Sequence, residues 1–472
     1  MNDITQLDAQ MVLKNTQEDP NWYFKNVLGV KPWKLQRRIA RAIRDNSEVS
    51  VRSCHGAGKS WLAAAIAHWF ANAYIPSIVI TTAPTDRQVR SILWKEIRLL
   101  YKNAKIPLGG KLLTQQLIYD DDWWLVGFTA PEYDPDRFQG FHEANILIIK
   151  DEACGISTQI NEAIDGILSS QNSKCLEIGN PTDAASPFAE SFKTPGIKKF
   201  KISAYDTPNF SYFDIVEADI ANGDWEKKID GRELPYPKLV TPQWVAKRYR
   251  RWGPDSTIYK SRVLADFPDE GEDTLIPLRH IEAASQRELK LSDPSVLGVD
   301  VARFGSDDTT IYHRRGDRVR LVKTYGKRDT AETTGEIIRA YKKYAANLVI
   351  VDSIGVGGGV VDQLVQFGIP VKGFNASEPA FKDDEYLNLR AQMYWELRER
   401  FELGQIDIDV DDEELASELS AIKFKFDNKG RVQIEKKEEM KRRGLNSPNR
   451  ADAVAMAMFD GMPPKKSRAG VW

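Results

Sequence analysis

The chain has 472 residues, of which 42% are hydrophobic and 28% are charged. At about one domain per 150 residues, this length predicts two or three domains, each able to bury a core. No apolar run of about eighteen residues occurs and the N-terminus lacks signal-peptide features, so we expect a cytoplasmic protein with no membrane partner. The three cysteines and five histidines have no metal-ligand spacing, which argues against disulfides and structural zinc. Because the formal net charge is only −2, any nucleic-acid contact must be local.

The first part of the chain, to about residue 205, alternates helical and strand patterns. In chain order the predicted elements are a helix over 35–45, a strand near Val49, a helix to Phe70, a strand over 77–82, a helix over 86–101, strands near Leu117 and Ile146, and a strand over 175–178. Strands separated by helices of this length predict an α/β fold around a largely parallel sheet.

A glycine-rich segment follows the first predicted strand. Residues 53–60 read Ser-Cys-His-Gly-Ala-Gly-Lys-Ser, and a helix-like run begins at Trp61. A strand, a turn with Gly-Lys-Ser and a helix together indicate a nucleotide phosphate loop. In such a loop backbone N–H groups face the phosphates, Lys59 adds a charge and the Ser60 hydroxyl can hold Mg2+. ATP is the expected nucleotide, although Ser53 replaces the usual first glycine and a chance Gly-Lys-Ser is the alternative. The predicted nucleotide-binding residues of this loop are Ser53, Cys54, His55, Gly56, Ala57, Gly58, Lys59 and Ser60.

Polar residues follow two later strands of the same sheet. The apolar run 146–149 leads into Lys150, Asp151 and Glu152. Because parallel strands present ligands at their carboxyl edge, Asp151 is predicted to hold Mg2+ through water and Glu152 to polarise the attacking water. Lys150 is unusual in such a strand, and we expect its ammonium to snorkel outward. The strand over 175–178 runs into Gly-Asn-Pro, where Asn180 can sense the γ-phosphate.

Segment 206–288 is mixed and rich in Pro, Asp, Trp and Tyr, with a basic helix over 242–252. We interpret it as a lid or linker subdomain. Several basic stretches could contact DNA, although each could equally be a solvated face. These stretches are 247–251, 423–431, 436–443 and 465–468. For 436–443, which closely precedes Asp452, we favour DNA contact.

A second α/β unit occupies residues 289–472. Its predicted elements are strands over 295–300, 309–313 and 318–325, a helix over 330–344, a strand over 348–351, a helix after the glycine-rich stretch 355–359, and a last helix carrying 450–453. That stretch is either a turn or a place where a DNA backbone approaches closely. Three successive short strands predict an antiparallel meander. Meander, strand and helix in this order are typical of an RNase H-like fold.

Three carboxylates fall at corresponding places in this second unit. Asp300 ends the first strand, Asp352 ends a later one, and Asp452 opens the last helix. Acids brought that close need divalent cations, and paired metals would activate a water and steady the leaving oxygen of a phosphodiester. Asp307 could approach the same cluster from a loop. We therefore predict a nuclease that uses Mg2+ or Mn2+, the alternative being that each Asp is only a strand-end or helix cap.

Together these motifs resemble the large subunit of a tailed-bacteriophage terminase, over nearly the whole chain. The residues that carry the resemblance are Trp33 and Gln36, the loop 53–60, Thr-Ala-Pro-Thr at 82–85 with Gln88, Arg-Phe-Gln-Gly-Phe-His at 137–142, Asp-Glu-Ala at 151–153, Gly-Asn-Pro at 179–181, Gly-Val-Asp at 298–300, Val-Asp-Ser at 351–353, and Ser-Pro-Asn at 447–449 leading to Asp452. Single motifs among these recur in many helicases, but their order together is specific.

The resemblance implies a P-loop ATPase domain of the ASCE type over 1–205, a linker over 206–288 and an RNase H-like nuclease domain over 289–472. It implies that Trp33 and Gln36 contact adenine, although Gln36 could instead be a solvated residue of an amphipathic helix. Asn180 would belong to the coupling motif. The family also uses an arginine at the γ-phosphate. Its candidates here are Arg52, Arg87, Arg90 and Arg137.

The family's activity is ATP-driven movement of double-stranded viral DNA into procapsids, with endonuclease cuts at the start and end of packaging. Its partners are the portal protein of the procapsid, a small terminase subunit and further copies of the chain in a pentameric ring, in the cytoplasm of the infected bacterium. Two alternatives remain open at this point. One is a helicase-like repair ATPase and nuclease with the same catalytic residues, and the other is a DNA-binding assembly protein switched by nucleotide.

Overall fold

The computed structural model describes residues 6–129, 141, 143–268, 271, 273–302, 308–326 and 328–461. The chain divides into two compact units, Met1–Arg250 with Ile258–Asp269, and Arg251–Thr257 with Glu270–Trp472. Segment 206–288 is thus divided between the units, and its role as a lid or linker stays a prediction. No helix among the described residues combines the length and the apolarity needed to cross a lipid bilayer.

The first unit alternates strands and helices as the sequence pattern predicts. Its helices are α1 (Gln6–Glu18), α2 (Pro20–Tyr23), α3 (Lys34–Asp45), α4 (Lys59–Ala73), α5 (Trp94–Asn103), α6 (Thr158–Ile167), α7 (Pro187–Ser191), α8 (Pro208–Ser211), α9 (Glu217–Asn222), α10 (Trp225–Ile229), and α11 (Pro242–Trp252) and α12 (Thr257–Tyr259), which run across the division between units. Its strands are β1 (Glu48–Ser53), β2 (Ile78–Thr82), β3 (Lys111–Leu112), β4 (Gln116–Asp120), β5 (Trp123–Gly127), β6 (Asn145–Asp151), β7 (Asn172–Gly179) and β8 (Lys198–Ile202).

These strands form one sheet in the order β3-β4-β5-β2-β6-β7-β1-β8. All neighbours from β5 to β8 are parallel, and β3 and β4 add an antiparallel edge. The phosphate-loop strand β1 and the acid-bearing strand β6 are separated by β7. This insertion distinguishes the ASCE type of P-loop fold, so the fold predicted for the N-terminal part is confirmed.

Burial on both faces explains why the central strands are almost continuously apolar. Every residue of β2 is buried, and Ile146, Ile148 and Ile80 pack against Ile160 and Ile164 of α6. Helix α4 is buried over nearly its whole length, from Leu62 to Ala73. The phosphate loop therefore lies on a rigid strand and a rigid helix.

The second unit contains the predicted meander and the helices that follow it. Its helices are α13 (Leu278–Ser285), α14 (Thr330–Tyr344), α15 (Gly357–Gln366), α16 (Leu389–Glu402), α17 (Glu413–Ala421), α18 (Lys437–Arg442) and α19 (Asn449–Met458). Its strands are β9 (Ser295–Asp300), β10 (Thr309–Arg315), β11 (Arg318–Tyr325), β12 (Leu348–Asp352), β13 (Val371–Phe374), β14 (Phe424–Phe426) and β15 (Val432–Ile434).

Five of these strands form a sheet in the order β11-β10-β9-β12-β13. The first three are antiparallel, and β12 and β13 continue parallel to β9. This is the RNase H-like topology that the order of elements predicts. Helices α14 and α15 cover a core that includes Leu297, Val299 and Val351, while α19 packs on β9 and β10.

Two glycines allow close packing around the ends of β9 and β12. A Cβ at Gly298 would lie 2.1 Å from the carbonyl oxygen of Ala453, so α19 rests directly on the β9 backbone. A Cβ at Gly357 would lie 1.7 Å from the carbonyl oxygen of Asp352. Gly357 to Gly359 open helix α15, so the alternative that the whole glycine-rich stretch is a turn was wrong for these three residues.

Candidate active sites

The phosphate loop joins β1 to α4 through two glycines in the left-handed region, with φ of +70° at Gly56 and +78° at Gly58. Only glycine adopts this conformation without strain, and a Cβ at Gly56 would lie 3.2 Å from the backbone nitrogen of Val240. The Val240 N–H donates to the Gly56 carbonyl at 2.9 Å. The phosphate loop is thus hydrogen-bonded to the segment around Val240, which is distant from it in sequence.

Three strand ends bring their polar residues together at this loop. The Lys59 ammonium donates to Asn180 Oδ1 at 2.8 Å and lies 3.0 Å from Glu152 Oε1. The Ser60 hydroxyl donates to Asp151 Oδ2 at 2.9 Å. Five residues predicted to serve ATP hydrolysis are therefore neighbours, although they lie at the start of α4 and at the ends of β6 and β7.

Glu152 has an unusual backbone conformation that aims it at the loop. Its φ is +50°, its N–H donates to Asp151 Oδ1 at 3.1 Å, and its Oε2 accepts from the Asn180 N–H at 3.4 Å. Gly179 permits this approach, because a Cβ there would lie 2.9 Å from the backbone nitrogen of Ala153. The Asn180 amide also donates to the Ser53 carbonyl at 2.7 Å, which ties β7 to the start of the loop.

The electrostatics of the site favour an added cation. Burial, and next the Glu152 carboxylate, raise the pKa of Asp151 to about 6. Burial acts against the charged form of Lys59, but Glu152 and Asp151 outweigh it and hold the pKa of Lys59 above its usual value. The carboxylates of Asp151 and Glu152 outnumber the ammonium of Lys59. Together with the Ser60 hydroxyl, these carboxylates form a set of oxygen donors that suits Mg2+.

Other predicted loop residues contribute through the backbone or through packing. Cys54 is buried, and burial raises the pKa of its thiol to about 12. The Cys54 N–H donates to the Ile202 carbonyl at 2.7 Å and the His55 N–H donates to the Arg262 carbonyl at 2.8 Å. These two N–H groups are therefore already used, and the His55 ring stacks on Trp244 with ring centroids 6.0 Å apart. The buried side chain of Ala57 only fills space in the loop. That these residues contact nucleotide stays a prediction.

Gln36 reaches the phosphate loop from α3. Its amide donates to the Gly58 carbonyl at 3.2 Å, and its Oε1 accepts from the Trp33 N–H at 3.2 Å. It is buried, so the alternative of a solvated surface residue was wrong. Trp33 lines a cavity of about 540 Å3 with Lys34, Arg38, Tyr205 and Tyr236, and its buried Nε1 makes no hydrogen bond to any residue that the structure describes.

The candidate arginines differ in their surroundings. Arg52 lies 3.3 Å from Asp266 and its guanidinium lies over the rings of Phe192 and Phe267. Arg87 and Arg90 are exposed, and Arg137 lies outside the described residues, as do its motif neighbours at 138–140 and 142. The identity of the γ-phosphate arginine stays open.

Lys150 does not snorkel outward, and that expectation was wrong. Its side chain is buried, and its ammonium donates to Glu177 Oε1 at 2.9 Å and to Asn161 Oδ1 at 2.6 Å. Ser50 donates to the other oxygen of Glu177 at 3.0 Å. Lys150, Glu177 and Ser50 are cross-strand neighbours on β6, β7 and β1, so this network joins the three strands that carry the site.

A second group of predicted residues meets at the ends of β9 and β12. Val299 pairs with Val351 in the parallel ladder, so Asp300 and Asp352 directly follow paired residues. The contact of Gly298 with Ala453 brings the neighbouring Asp452 to the same place. Asp352 and Asp452 line a cavity of about 400 Å3 with Asn388, Arg390, Lys437 and Ser377.

Asp452 is buried and surrounded by donors. Its Oδ1 accepts from the Tyr394 hydroxyl at 2.6 Å and lies 3.7 Å from Arg390 Nη2, and its Oδ2 lies 2.7 Å from the Lys437 ammonium. Burial acts to raise its pKa, but Lys437, Arg390 and the hydrogen bonds outweigh burial and lower it. Asp452, and next Asp300, outweigh burial at Lys437 and raise the pKa of its ammonium.

Asp352 is more accessible. Its Oδ1 accepts from the Ile354 N–H at 3.0 Å, and burial raises its pKa. Within the described ranges, no group of three or more His, Cys, Asp or Glu side chains is arranged as a ready metal site. Asp307 lies outside those ranges. The Lys437 ammonium lies beside Asp452, so the surroundings of this carboxylate accommodate a positive charge. Carboxylate oxygens are hard donors that suit Mg2+ or Mn2+. The metal-ligand roles of Asp300, Asp352 and Asp452 stay predictions.

Sequence reasoning missed the residues that hold these acids in place. Tyr394 and Arg390 lie on α16, remote in sequence from Asp452, and no local pattern marks them. Lys437 belongs to the basic stretch 436–443, which was expected beside the metal site as a DNA contact, but its ion pair with Asp452 was not predicted. In that stretch Arg443 pairs with Glu435 at 2.6 Å, as expected for a structural role. Stretch 465–468 lies outside the described residues.

Comparison with known proteins supports the assignment made from the motifs. A probable terminase large subunit of Enterobacteria phage P7 is 23% identical over 460 residues, which is 92% of this chain and 89% of that protein. The chain resembles terminase large subunits. The resemblance identified from the sequence is thus confirmed, although no family model matches the chain.

Solved terminase structures are also similar to this chain. The nuclease domain of the large terminase subunit of bacterial virus Sf6 is 25% identical, with a TM-score of 0.37, and the match covers 40% of this chain and 100% of that one. The large terminase of a thermophilic bacteriophage, in complex with ADP, is 13% identical, with a TM-score of 0.39, and the match covers 93% of this chain and 97% of that one.

Proposed function

We propose that this chain works as a terminase large subunit, hydrolysing ATP to move double-stranded viral DNA into procapsids and cutting concatemeric DNA with a metal-dependent nuclease. The observation that carries the proposal is the meeting of Lys59, Ser60, Asp151, Glu152 and Asn180 at one sheet edge. A second acidic site in the same chain supports the nuclease half. A purely structural protein would need neither the cluster at the phosphate loop nor the acidic site, so both favour an enzyme.

In the ATPase half, each residue has a role that follows from its contacts. Lys59 exchanges its partners Glu152 and Asn180 for phosphate oxygens of ATP, and the N–H groups at the start of α4 face the same phosphates. Ser60 and Asp151 are the residues that would hold Mg2+, which would neutralise phosphate charge when bound. Glu152, once released from Lys59, orients the attacking water. Asn180, bonded to both Lys59 and the Ser53 carbonyl, transmits the change to β7.

The cavity beside Trp33 supports adenine binding. It has the size and aromatic lining of a nucleobase pocket, and Gln36 joins it to the phosphate loop through Gly58. Trp33 and Tyr236 would contact the base. Lys34 and Arg38 supply positive charge near the nucleotide.

Glu152→Gln tests the ATPase role. The variant keeps the size of the side chain, so we expect it to bind a fluorescent ATP analogue while ATP turnover falls at least a hundredfold. Glu190→Gln, at an exposed glutamate paired with Lys193, is the matched control and should retain turnover. Wild-type turnover in Glu152→Gln would remove Glu152 from this role.

In the nuclease half, Asp300, Asp352 and Asp452 are the residues that would hold Mg2+ or Mn2+. The metal supplies an activated water and charge for the leaving oxygen when bound. Lys437 and Arg390 place positive charge in the same cavity and would meet DNA phosphates. Because a motor must be indifferent to sequence, DNA binding should be mainly through phosphates and steeply salt-dependent.

Plasmid digestion with Mn2+ or Mg2+ tests the nuclease role. We expect Asp300→Ala to abolish DNA degradation, and Asp362→Ala, at an exposed aspartate on α15, to leave it intact. Equal degradation by wild type and Asp300→Ala would contradict the proposal. Packaging into purified procapsids in the presence of a small terminase subunit separates a terminase from a helicase-like repair enzyme. It also tests the portal of the procapsid as partner. The pentameric ring and the location in the host cytoplasm are further parts of this proposal, taken from the resemblance.

A further inference from the structure

A buried tyrosine contacts the carboxylate predicted to be the last member of the nuclease triad. Tyr394 of α16 is 0% exposed, and its hydroxyl donates to Asp452 Oδ1 at 2.6 Å. A buried hydroxyl needs a partner, but many acceptors would serve. This one is a carboxylate at the ends of β9 and β12, where the other two acids lie.

The two oxygens of Asp452 have different partners. Oδ1 is bound by the Tyr394 hydroxyl, with Arg390 Nη2 at 3.7 Å, whereas Oδ2 lies 2.7 Å from the Lys437 ammonium. The charge of Lys437 also acts on Asp300. One oxygen is therefore bound by a buried tyrosine, and the other faces the ammonium of Lys437.

Tyr394 is itself held in place. The Arg390 guanidinium lies over its ring at 5.0 Å, and Arg390 Nη1 donates to the Glu435 carbonyl at 2.6 Å. Arg390 and Tyr394 are four residues apart and thus share one face of α16. The hydroxyl cannot swing away without breaking this stack, so the orientation of Asp452 is determined by α16 rather than by α19 alone.

We infer that Tyr394 is a positioning residue of the nuclease site, which fixes Asp452 so that Oδ2 alone is presented to a divalent cation. This rests on the proposed nuclease function. Groups that hydrogen-bond a metal ligand from behind orient it, and their loss typically costs about 10- to 100-fold in metal affinity. Tyr394 touches neither metal nor DNA in this scheme, since it acts only through Asp452.

Tyr394→Phe tests the inference, and the chain offers a closely matched control. Tyr312 of β10 is also buried, and its hydroxyl donates to the buried carboxylate of Asp412. Both substitutions remove one hydroxyl from a buried tyrosine–aspartate pair of the same unit, so they should lower the melting temperature by similar amounts. Only Tyr394→Phe should change the metal site.

The primary measurement is Mn2+ binding to the full chain without nucleotide, detected by electron paramagnetic resonance. The Asp300→Ala variant gives the Mn2+ binding that is due to other sites. We expect Tyr394→Phe to weaken the Asp300-dependent binding about 10- to 100-fold and Tyr312→Phe to leave it within about twofold. In DNA cleavage, Tyr394→Phe should raise the Mn2+ concentration for half-maximal rate by the same factor. Saturating Mn2+ should restore most of the rate.

A second variant keeps the inference testable if Tyr394→Phe folds poorly. Arg390→Lys retains the charge but loses the planar stack on Tyr394, and it should weaken Mn2+ binding severalfold. Mn2+ binding by Tyr394→Phe equal to that of Tyr312→Phe, while wild type binds Mn2+ and cleaves DNA, would overturn the inference alone. Absence of Asp300-dependent binding and of cleavage in wild type would overturn the proposed nuclease itself, and the inference with it.

Discussion

The buried ammonium of Lys150 allows a quantitative test of the ATPase fold. Replacing Lys150 with Met keeps an unbranched side chain of similar length and removes only the charge and its hydrogen bonds. The Glu177 carboxylate, which lies 2.9 Å from the ammonium, would then keep only the Ser50 hydroxyl as a hydrogen-bond donor among its described side-chain contacts. Breaking a buried ion pair from one side typically costs about 3–5 kcal/mol, because a charge remains without its partner.

This cost should be visible in thermal unfolding. For a unit of this size, each kcal/mol lowers the melting temperature by about 2–4 °C, so Lys150→Met should melt about 6–20 °C below wild type. Scanning calorimetry on the full chain measures the shift of the first unit. Lys193→Met is the control, because its pair with Glu190 is exposed and should contribute less than about 1 kcal/mol.

A double variant separates the unpaired charge from lost packing. Lys150→Met combined with Glu177→Gln removes both charges and retains a group that can bond Ser50. We expect it to recover at least half of the stability lost in the single variant. The reasoning is refuted if Lys150→Met melts within about 2 °C of the Lys193→Met control, or if the double variant is no more stable than the single one.

Three further predictions concern backbone contacts and pH. Gly298→Ala should destabilise the second unit by about 3 kcal/mol in urea unfolding and reduce DNA cleavage more than tenfold, because the new Cβ would lie 2.1 Å from the Ala453 carbonyl; full cleavage would contradict it. Gly179→Ala should lower ATP turnover at least tenfold while nucleotide binding persists, since its Cβ would press on Ala153 beside Glu152, the proposed catalytic residue; unchanged turnover would argue against this close packing. His68 is fully buried, and burial lowers its pKa to about 4 from 6.5, so the unfolded chain binds the extra proton between these values. The stability this histidine confers is present above about pH 6.5 and falls by up to about 3 kcal/mol toward about pH 4, and His68→Gln should flatten that slope in urea midpoints.

Much of the fold and of both sites could be predicted because their signals are local. The order of strands and helices follows from hydrophobic patterning, and Lys59, Ser60, Asp151 and Glu152 occur in short motifs at strand ends. Parallel strands place their carboxyl ends at one edge, so the meeting of these residues follows from topology alone. The convergence of Asp300, Asp352 and Asp452 was instead predicted from the order of elements typical of an RNase H-like fold.

The resemblance to terminases was also readable from the sequence. It depends on the order of several motifs along the chain, and order is a property that needs no coordinates. Substrate, partners and ring assembly come only through that resemblance, which is why they remain proposals. The adenine role of Gln36 could not be decided from the sequence, because a buried and a solvated glutamine look alike on an amphipathic helix.

What only the tertiary structure decided is which side chains meet across long sequence separations. Lys150 was expected at the surface because a lysine beside an acid gives no sign of the partner 27 residues later that keeps it buried. Tyr394 and Asp452 are 58 residues apart, and nothing in either local pattern links them. Periodicity specifies the face on which a residue lies, but the identity of its partner depends on how helices and strands pack. The sequence therefore determined the elements and the acids, and packing determined what holds those acids in place.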